Sequence, residues 1–318
     1  LRTQLKDIDR QLFNTVRNFE ILNFINPVNI EHEKRRFFQS HYLVNPCFRY
    51  RQIVLDPFQF KRTLYQIPVE KIRDINIQLL YKDVINAYSD KIDLLATIGT
   101  NTFVYNSLRY FGEPSERDLN NANFLLHSPD VEQEDGHTFS VEEVRDTFRE
   151  EIRSYGFDAK VEISKNIVSK VLVLNSKKLI RLRRDATFTE KSMLALLNHE
   201  VGVHMLTTIN ARSQPLRLLQ AGLPVNTLTQ EGLAIMSEYL SDNLTVFRLK
   251  ELSMRVLTVK NFLNGFDFRQ SYEFVMDTGL LNEDAAFYMT ARIYRGGGFT
   301  KDYLYLKGFR YILNYYKQ

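Results

Sequence analysis

The stretch His199-Glu200-Val201-Gly202-Val203-His204 decides how this chain is read. A glutamate follows the first histidine, and a further acid comes later in Gln230-Glu231-Gly232-Leu233-Ala234. A catalytic zinc is commonly held by three protein donors and a water, with a free carboxylate nearby to accept a proton. The familiar zinc-peptidase helix carries its histidines at i and i+4, on one face. Here the second histidine stands at i+5. At roughly 100° per residue, i+4 lies about 40° from i, whereas i+5 lies about 140° away. A regular helix would aim His199 and His204 apart. One extra residue absorbed as a π-bulge restores the common face, and Gly202 is where backbone latitude costs least. The helix is therefore expected to bulge near Gly202. The plain alternative is an amphipathic helix with its polar residues in solvent.

The flanking sequence gives this helix a setting. Thr187-x-x-Glu190 has the form of a capping box opening it. Leu194, Leu197, Val201 and Met205 are spaced to anchor it in a core. Just before it, β-prone runs at 161–163, 171–174 and 179–182 predict a small sheet, the last run decorated by Arg181, Arg183 and Arg184. An edge strand there would pair with an extended peptide, or the sheet is simple scaffold. After it, Pro215, Gly222 and Pro224 mark a connection, and Thr227-x-x-Gln230 predicts a further capping box with Glu231 in the first turn. The remainder reads as helical through 240–275 and 283–293. Arg295-Gly296-Gly297-Gly298 breaks it, and an aromatic helix at 302–317 closes it.

Upstream, the spacing of Leu5, Ile8, Leu12, Val16, Phe19 and Leu22 predicts a helix within 1–25. Further helices are expected at 57–64, 69–96, 101–110 and after Pro114. The acidic stretch 128–137 reads as a loop. Ser140-x-x-Glu143 caps a helix to about Tyr155, with Gly156 as its stop. The expected class is α+β, mainly α. An N-terminal helical region, 1–156, packs on a core at 157–318 that carries the sheet and the metal helix.

Composition narrows the function classes. The 318 residues are 44% hydrophobic and 25% charged, an ordinary globular profile. No apolar run approaches the roughly 18 residues of a membrane span. The net charge of +4 is scattered, so neither a nucleic-acid nor a membrane partner is expected. The lone Cys47 excludes an internal disulfide and a cysteine-rich metal site. It suits a reducing, cytoplasmic setting and reads as a small core residue beside Pro46. His32, His41, His127 and His137 lack ligand spacing and read as surface or capping residues. The chain starts at Leu1 without a leader-like pattern, the form a trimmed sequence takes. Nothing in the pattern sets an oligomeric state.

Taken together, several strings carry a family resemblance. They are His199 to His204, Gln230 to Ala234, Arg295-Gly-Gly-Gly-Phe-Thr-Lys-Asp302, Gly99-Thr100 and Tyr110-Phe-Gly-Glu-Pro114. The chain resembles the bacterial QEGLA-motif proteins, also labelled flavohaemoglobin-expression-modulating. Their eukaryotic relatives are the microtubule-associated tyrosine carboxypeptidases, which remove the C-terminal tyrosine of α-tubulin. The resemblance is strongest over roughly 180–310. It implies a zincin-like catalytic domain with one Zn2+, held by His199, His204 and, as third protein ligand, Glu231. The Gln-Glu-Gly-Leu-Ala string is also similar to the Asn-Glu-Gly-Phe-Ala ligand string of aminopeptidase N-type enzymes. Glu200 cannot easily enter the same coordination sphere from the position next to His199. It is better placed as general base for the attacking water, passing the proton to the leaving amine.

A peptidase also needs a donor for the developing oxyanion. A carboxypeptidase needs a cation for the terminal carboxylate, where the planar fork of arginine is suited. Tyr288, Arg292, Tyr294, Arg295, Lys301 and Tyr303 are the candidates, with Arg292 or Arg295 for the carboxylate. The glycines at 296–298 would let backbone approach the substrate or a loop close over it, or they form a plain turn. Glu238, at i+7 from Glu231, shares its face. It is a candidate partner for a ligating histidine, or a solvated acid. The chain is thus expected to be a zinc metallopeptidase that releases a C-terminal residue, tyrosine or another aromatic, from a peptide or protein tail. A zinc aminopeptidase or endopeptidase, or a non-catalytic regulatory metal protein, are the alternatives.

Overall fold

The computed structural model describes residues 3–17, 19, 21–53, 55–129 and 137–318. Most of the expected loop at 128–137, and residues 1, 2, 18 and 20 of the first expected helix, lie outside them. Within 1–25 there are two helices, Thr3–Val16 and Ile21–Ile25. The first buries Ile8, Leu12 and Val16. It is pinned by buried Asp9, which accepts from Tyr81 Oη and from the N–H groups of Arg217 and Leu218. The expected helix over 69–96 is also split, into a 3-10 turn at Val69–Lys71 and a helix at Ile75–Ala96. Asp74 divides them by accepting from the N–H groups of Asn76 and Ile77, a new N-cap.

One helix went unanticipated, Ile30–Gln39. Its sequence is dense in charge, and one of its three buried positions is Glu33 between Ile30 and Phe37, which hides the apolar stripe. Glu33 accepts from the Cys47 N–H. Cys47 itself is exposed, not a core residue. It belongs to the segment 43–53, which carries no helix or strand assignment, and its carbonyl accepts from Asn29 Nδ2.

The small sheet forms where expected. Strands β1 (Lys160–Ser164), β2 (Val171–Leu174) and β3 (Leu179–Arg183) lie in the order β1-β3-β2. β1 runs parallel to β3, and β2 antiparallel. Ile180 is the shared centre, opposite Val161 on one side and Val173 on the other. Helix Val141–Ser154 opens on the Ser140/Glu143 capping box. Its Val144, Phe148 and Ile152 join Ile180 and Leu182 of the sheet and Met193 and Val201 of the metal helix in one cluster. The sheet thus fixes the height and tilt of that helix. β2 is one edge of the sheet and lies against the metal helix.

The metal helix starts two residues later than its first capping signal. Thr189, not Thr187, is the N-cap, exchanging bonds with Ser192. Phe188 is fully buried and bridges to Phe139, so the chain is still extended there. Helix Glu190–Leu197 then passes into a π-helical segment, Asn198–Met205, and back to α-helix at Leu206–Asn210. The widened turn expected from the i+5 spacing is present. A Cβ at Gly202 would meet nothing nearer than 3.8 Å, so sterics do not demand glycine there.

The helix bearing Glu231 spans Thr227–Leu240, with Asn226 as N-cap and no side-chain cap bond. The expected Thr227 box does not form, because the Thr227 hydroxyl donates to the Pro224 carbonyl. The helical stretch after 240 is divided into Val246–Leu263 and Phe268–Asp277, the latter opened by an Asp267/Gln270 capping box. Helix Glu283–Tyr294, a 3-10 turn at Thr300–Tyr303 and helix Leu304–Tyr316 complete the chain. The largest core cluster joins Leu12, Tyr88 and Phe103 to Ile235, Leu252, Phe299 and Phe309.

Two glycine features shape the site. Helices Thr227–Leu240 and Leu304–Tyr316 touch backbone to backbone at Gly232 and Gly308. A Cβ on Gly232 would fall 2.4 Å from the Gly308 carbonyl oxygen, and one on Gly308 would fall 2.4 Å from that of Leu228. The run 296–298 has positive φ throughout and is packed against Phe103, Thr100 and Phe262. The Gly296 N–H donates to Tyr50 Oη, and its carbonyl accepts from Gly99. It is a buried structural turn. None of its three glycines lines the cavity that holds the histidines.

Candidate metal centre

The widened turn brings the two imidazoles within 5.0 Å, ring centre to ring centre. His199 is buried, while His204 is partly open to a cavity of about 480 Å³. Glu231 comes from the neighbouring helix, and its Oε2 lies 3.7 Å from Nε2 of both histidines. Donors about 2.0–2.2 Å from a tetrahedral zinc sit about 3.4 Å from one another, so Glu231 Oε2 is within a few tenths of an ångström of that separation from each histidine nitrogen. Glu231 Oε2 is buried and has no hydrogen-bond partner. A buried charged oxygen without a partner is costly, and this one points where a cation would sit. Two imidazoles and a carboxylate are donor types that suit zinc.

Glu200 is the second acid at this point. Its carboxylate and the two imidazoles offer donor atoms within 4.8 Å of one another. Two carboxylates therefore compete for a third position. Glu231 is fixed from behind: Lys301 Nζ donates to its Oε1 at 2.6 Å and to Tyr305 Oη at 3.1 Å. Burial works to raise the Glu231 pKa, but Lys301 and then the histidines hold it well below the usual carboxylate range. Glu200 is half-buried and lines the cavity, where it faces whatever enters.

Behind His199 runs a chain of charge. His199 Nδ1 lies 2.8 Å from Glu238 Oε1. Glu238 is fully buried and accepts two bonds from Arg248, which also pairs with Glu251. Burial opposes ionisation of Glu238, yet Arg248 and His199 bring its pKa down to about 2. A histidine that gives Nδ1–H to this carboxylate keeps Nε2 free as a donor atom. Burial lowers the His199 pKa while Glu231 and Glu238 raise it, to about 9 in net. The surroundings of its imidazole are strongly anionic.

The other expected residues divide into two groups. Arg292, Arg295, Lys301 and Tyr288 line the cavity, and Tyr294 and Tyr303 do not. The Tyr294 hydroxyl is taken up by Ser271 and the Asp267 carbonyl, and that of Tyr303 by the Phe111 carbonyl. Within the cavity, Arg292 is forked onto buried Asp302. Arg295 donates to the Arg292 carbonyl and to Asn26 Oδ1. Tyr288 is bound to Glu31 and Asp185 beneath the Arg183 guanidinium.

Four residues of the site were not singled out from the sequence. Tyr305 stacks on His199 with ring centres 6.0 Å apart, and its aromatic neighbours on the closing helix concealed it. Arg248, Glu251 and Arg255 share one face of helix Val246–Leu263, whose central residues 252–259 are all buried. Charges at i, i+3 and i+7 on so buried a helix were the available signal.

These features define a class: a mainly helical protein with a buried two-histidine, one-glutamate donor set and a second acid facing a cation-lined cavity. The sequence model described as microtubule-associated tyrosine carboxypeptidase matches residues 35–318, and the chain belongs to that family. It is 23% identical over 312 residues, 92% of this chain and 56% of the relative, to microtubule-associated tyrosine carboxypeptidase 1 of Mus musculus. The chain thus spans little more than half the length of that curated relative.

Proposed function

We propose that this chain is a zinc-dependent carboxypeptidase of zincin-like type. His199, His204 and Glu231 hold the metal, and Glu200 serves as general base. The observation that carries this is the unpartnered Glu231 Oε2, 3.7 Å from both histidine Nε2 atoms, beside a second carboxylate that opens on the cavity. When bound, zinc supplies Lewis acidity and lowers the pKa of water. The chain's own residues do the rest. Lys301 neutralises and orients Glu231. Glu238 and Arg248 hold the His199 tautomer and ring plane. Glu200 takes a proton from the attacking water at its carboxylate and returns it to the departing amine.

The substrate is proposed to be the C-terminal tail of a peptide or protein, with tyrosine or another aromatic residue released. The family's description supports this assignment, and so does the buried positive charge around the cavity. The cavity-facing edge of β2 would pair with the extended tail, main chain to main chain. The metal donors all come from 157–318, which we assign as the catalytic core, with 1–156 as its buttress. Exposed Cys47 suits a reducing, cytoplasmic location. Among the described residues, no helix is long and apolar enough to cross a membrane.

The experiment is a panel of peptides ending in different residues, with free or blocked termini, incubated with zinc-loaded protein and read by mass. Loss of a single C-terminal residue, requiring a free C-terminus, is expected. Cleavage inside the peptides or from their N-termini would assign the site to another peptidase class.

A further inference from the structure

We propose, resting on the carboxypeptidase reading above, that Arg255 binds the terminal carboxylate of the substrate, from a position on the same Tyr305 ring that stacks on His199.

Arg255 lines the cavity yet is only 8% exposed, and its buried Nε has no hydrogen-bond partner. Among the described residues it makes no ion pair. Burial first, then Arg292 and Arg248, lower its pKa, while Asp302 and Glu251 act against them, which leaves it at about 10. Those two acids are bonded directly to Arg292 and Arg248, so Arg255 lacks a direct partner of its own, and an anion delivered into the cavity would supply one. The other cations there are committed. Arg292 is forked onto Asp302, Arg248 onto Glu238 and Glu251, and Lys301 onto Glu231. Arg295 is buried as well, but Nε and one terminal nitrogen donate to neutral acceptors.

Arg255 and His199 share one aromatic neighbour. The Arg255 guanidinium carbon lies 5.2 Å from the Tyr305 ring centre, and the His199 ring centre lies 6.0 Å from it. In a peptide, the scissile carbonyl carbon and the terminal carboxyl carbon are three bonds apart, no more than about 4 Å. A forked hydrogen bond of about 2.9 Å at one end and a metal contact of about 2 Å at the other extend that reach, and two groups packed on one ring stand no more than about 11 Å apart. Arg255 therefore selects substrates with a free α-carboxylate and discriminates against amides, esters and internal peptide bonds.

The test uses zinc-loaded Glu200→Gln protein, which binds without turnover, and two fluorescent peptides. One ends in free tyrosine and the other in tyrosine amide. With Arg255 present the acid should bind about ten- to a hundredfold more tightly than the amide, the worth of a charge-assisted bond. Arg255→Gln should erase that preference with zinc content unchanged. Arg255→Lys should keep part of it, since a lysine cannot fork. Equal binding of the two peptides with Arg255 intact overturns the proposal, as does a full preference in Arg255→Gln. Should the glutamine variant not fold, a full preference in Arg255→Lys overturns it. The carboxypeptidase reading fails separately, if zinc-loaded protein with Glu200 intact leaves the free-acid peptide uncut.

Discussion

Gly232→Ala gives a prediction whose sign depends on the packing around Glu231. In an isolated helix this change stabilises by about 1 kcal/mol, because alanine has the higher propensity. Here the new Cβ falls 2.4 Å from the Gly308 carbonyl oxygen and 2.5 Å from its carbon. Restoring ordinary contact requires the two helices to part by roughly 1 Å, overpacking that costs about 1–3 kcal/mol or more. Both partners are backbone, so no side chain can swing aside. The net expectation is a destabilised protein, read as a lower urea midpoint with the slope unchanged. Glu231 is the adjacent residue and moves with the helix. Metal sites tolerate about 0.2 Å of ligand displacement, so zinc affinity should fall as well. Gly308→Ala should act in the same direction through Leu228, and the pair should be non-additive because one contact is shared. A Gly232→Ala protein more stable than wild type, with zinc affinity intact, would refute the close contact and its role in placing Glu231.

Three further outcomes are expected. Glu200→Gln should retain zinc and lose at least about a hundredfold in turnover, the usual contribution of a general base; unchanged turnover would remove Glu200 from that role. Glu238→Gln should weaken zinc binding about 10- to 100-fold, measured by competition with a chromophoric chelator, with the fold kept. Asp118 makes stability depend on pH. Burial raises its pKa, but Ser115, Lys307 and Arg310 bring it below the ordinary value. Its folded pKa is thus under the unfolded one, so its contribution is complete above about pH 4. It is lost as pH falls through the folded value. The stability gap between wild type and Asp118→Asn, from urea melts at pH 7, 5 and about 3, should be flat and then shrink; a gap that widens toward acid would contradict the assignment.

The metal helix was legible because its information is local. The i+5 spacing of His199 and His204 dictates a widened turn, and short β-prone runs between polar breaks mark the strands beside it. Helix boundaries were less legible where tertiary contacts choose among capping signals. Phe188 keeps the chain extended past Thr187, and Pro224 takes the Thr227 hydroxyl. The charged cavity wall was least legible. The arginines at 292 and 295 drew attention through their motif, yet buried acceptors hold them, and Asp302 is the main one. Arg255 stands in no motif. Its significance comes from a missing partner, which only the three-dimensional arrangement shows. Tyr294 and Tyr303 show the converse, since a hydroxyl near a motif in sequence can face away from the site in space.

Zinc content per chain tests the central claim most directly. The protein purified without chelators, or reloaded and freed of excess metal, should carry one equivalent of zinc. His199→Ala, His204→Ala and Glu231→Ala should each lose it. Less than about half an equivalent in wild type, with none regained on reloading, would contradict the assignment of a three-donor zinc site.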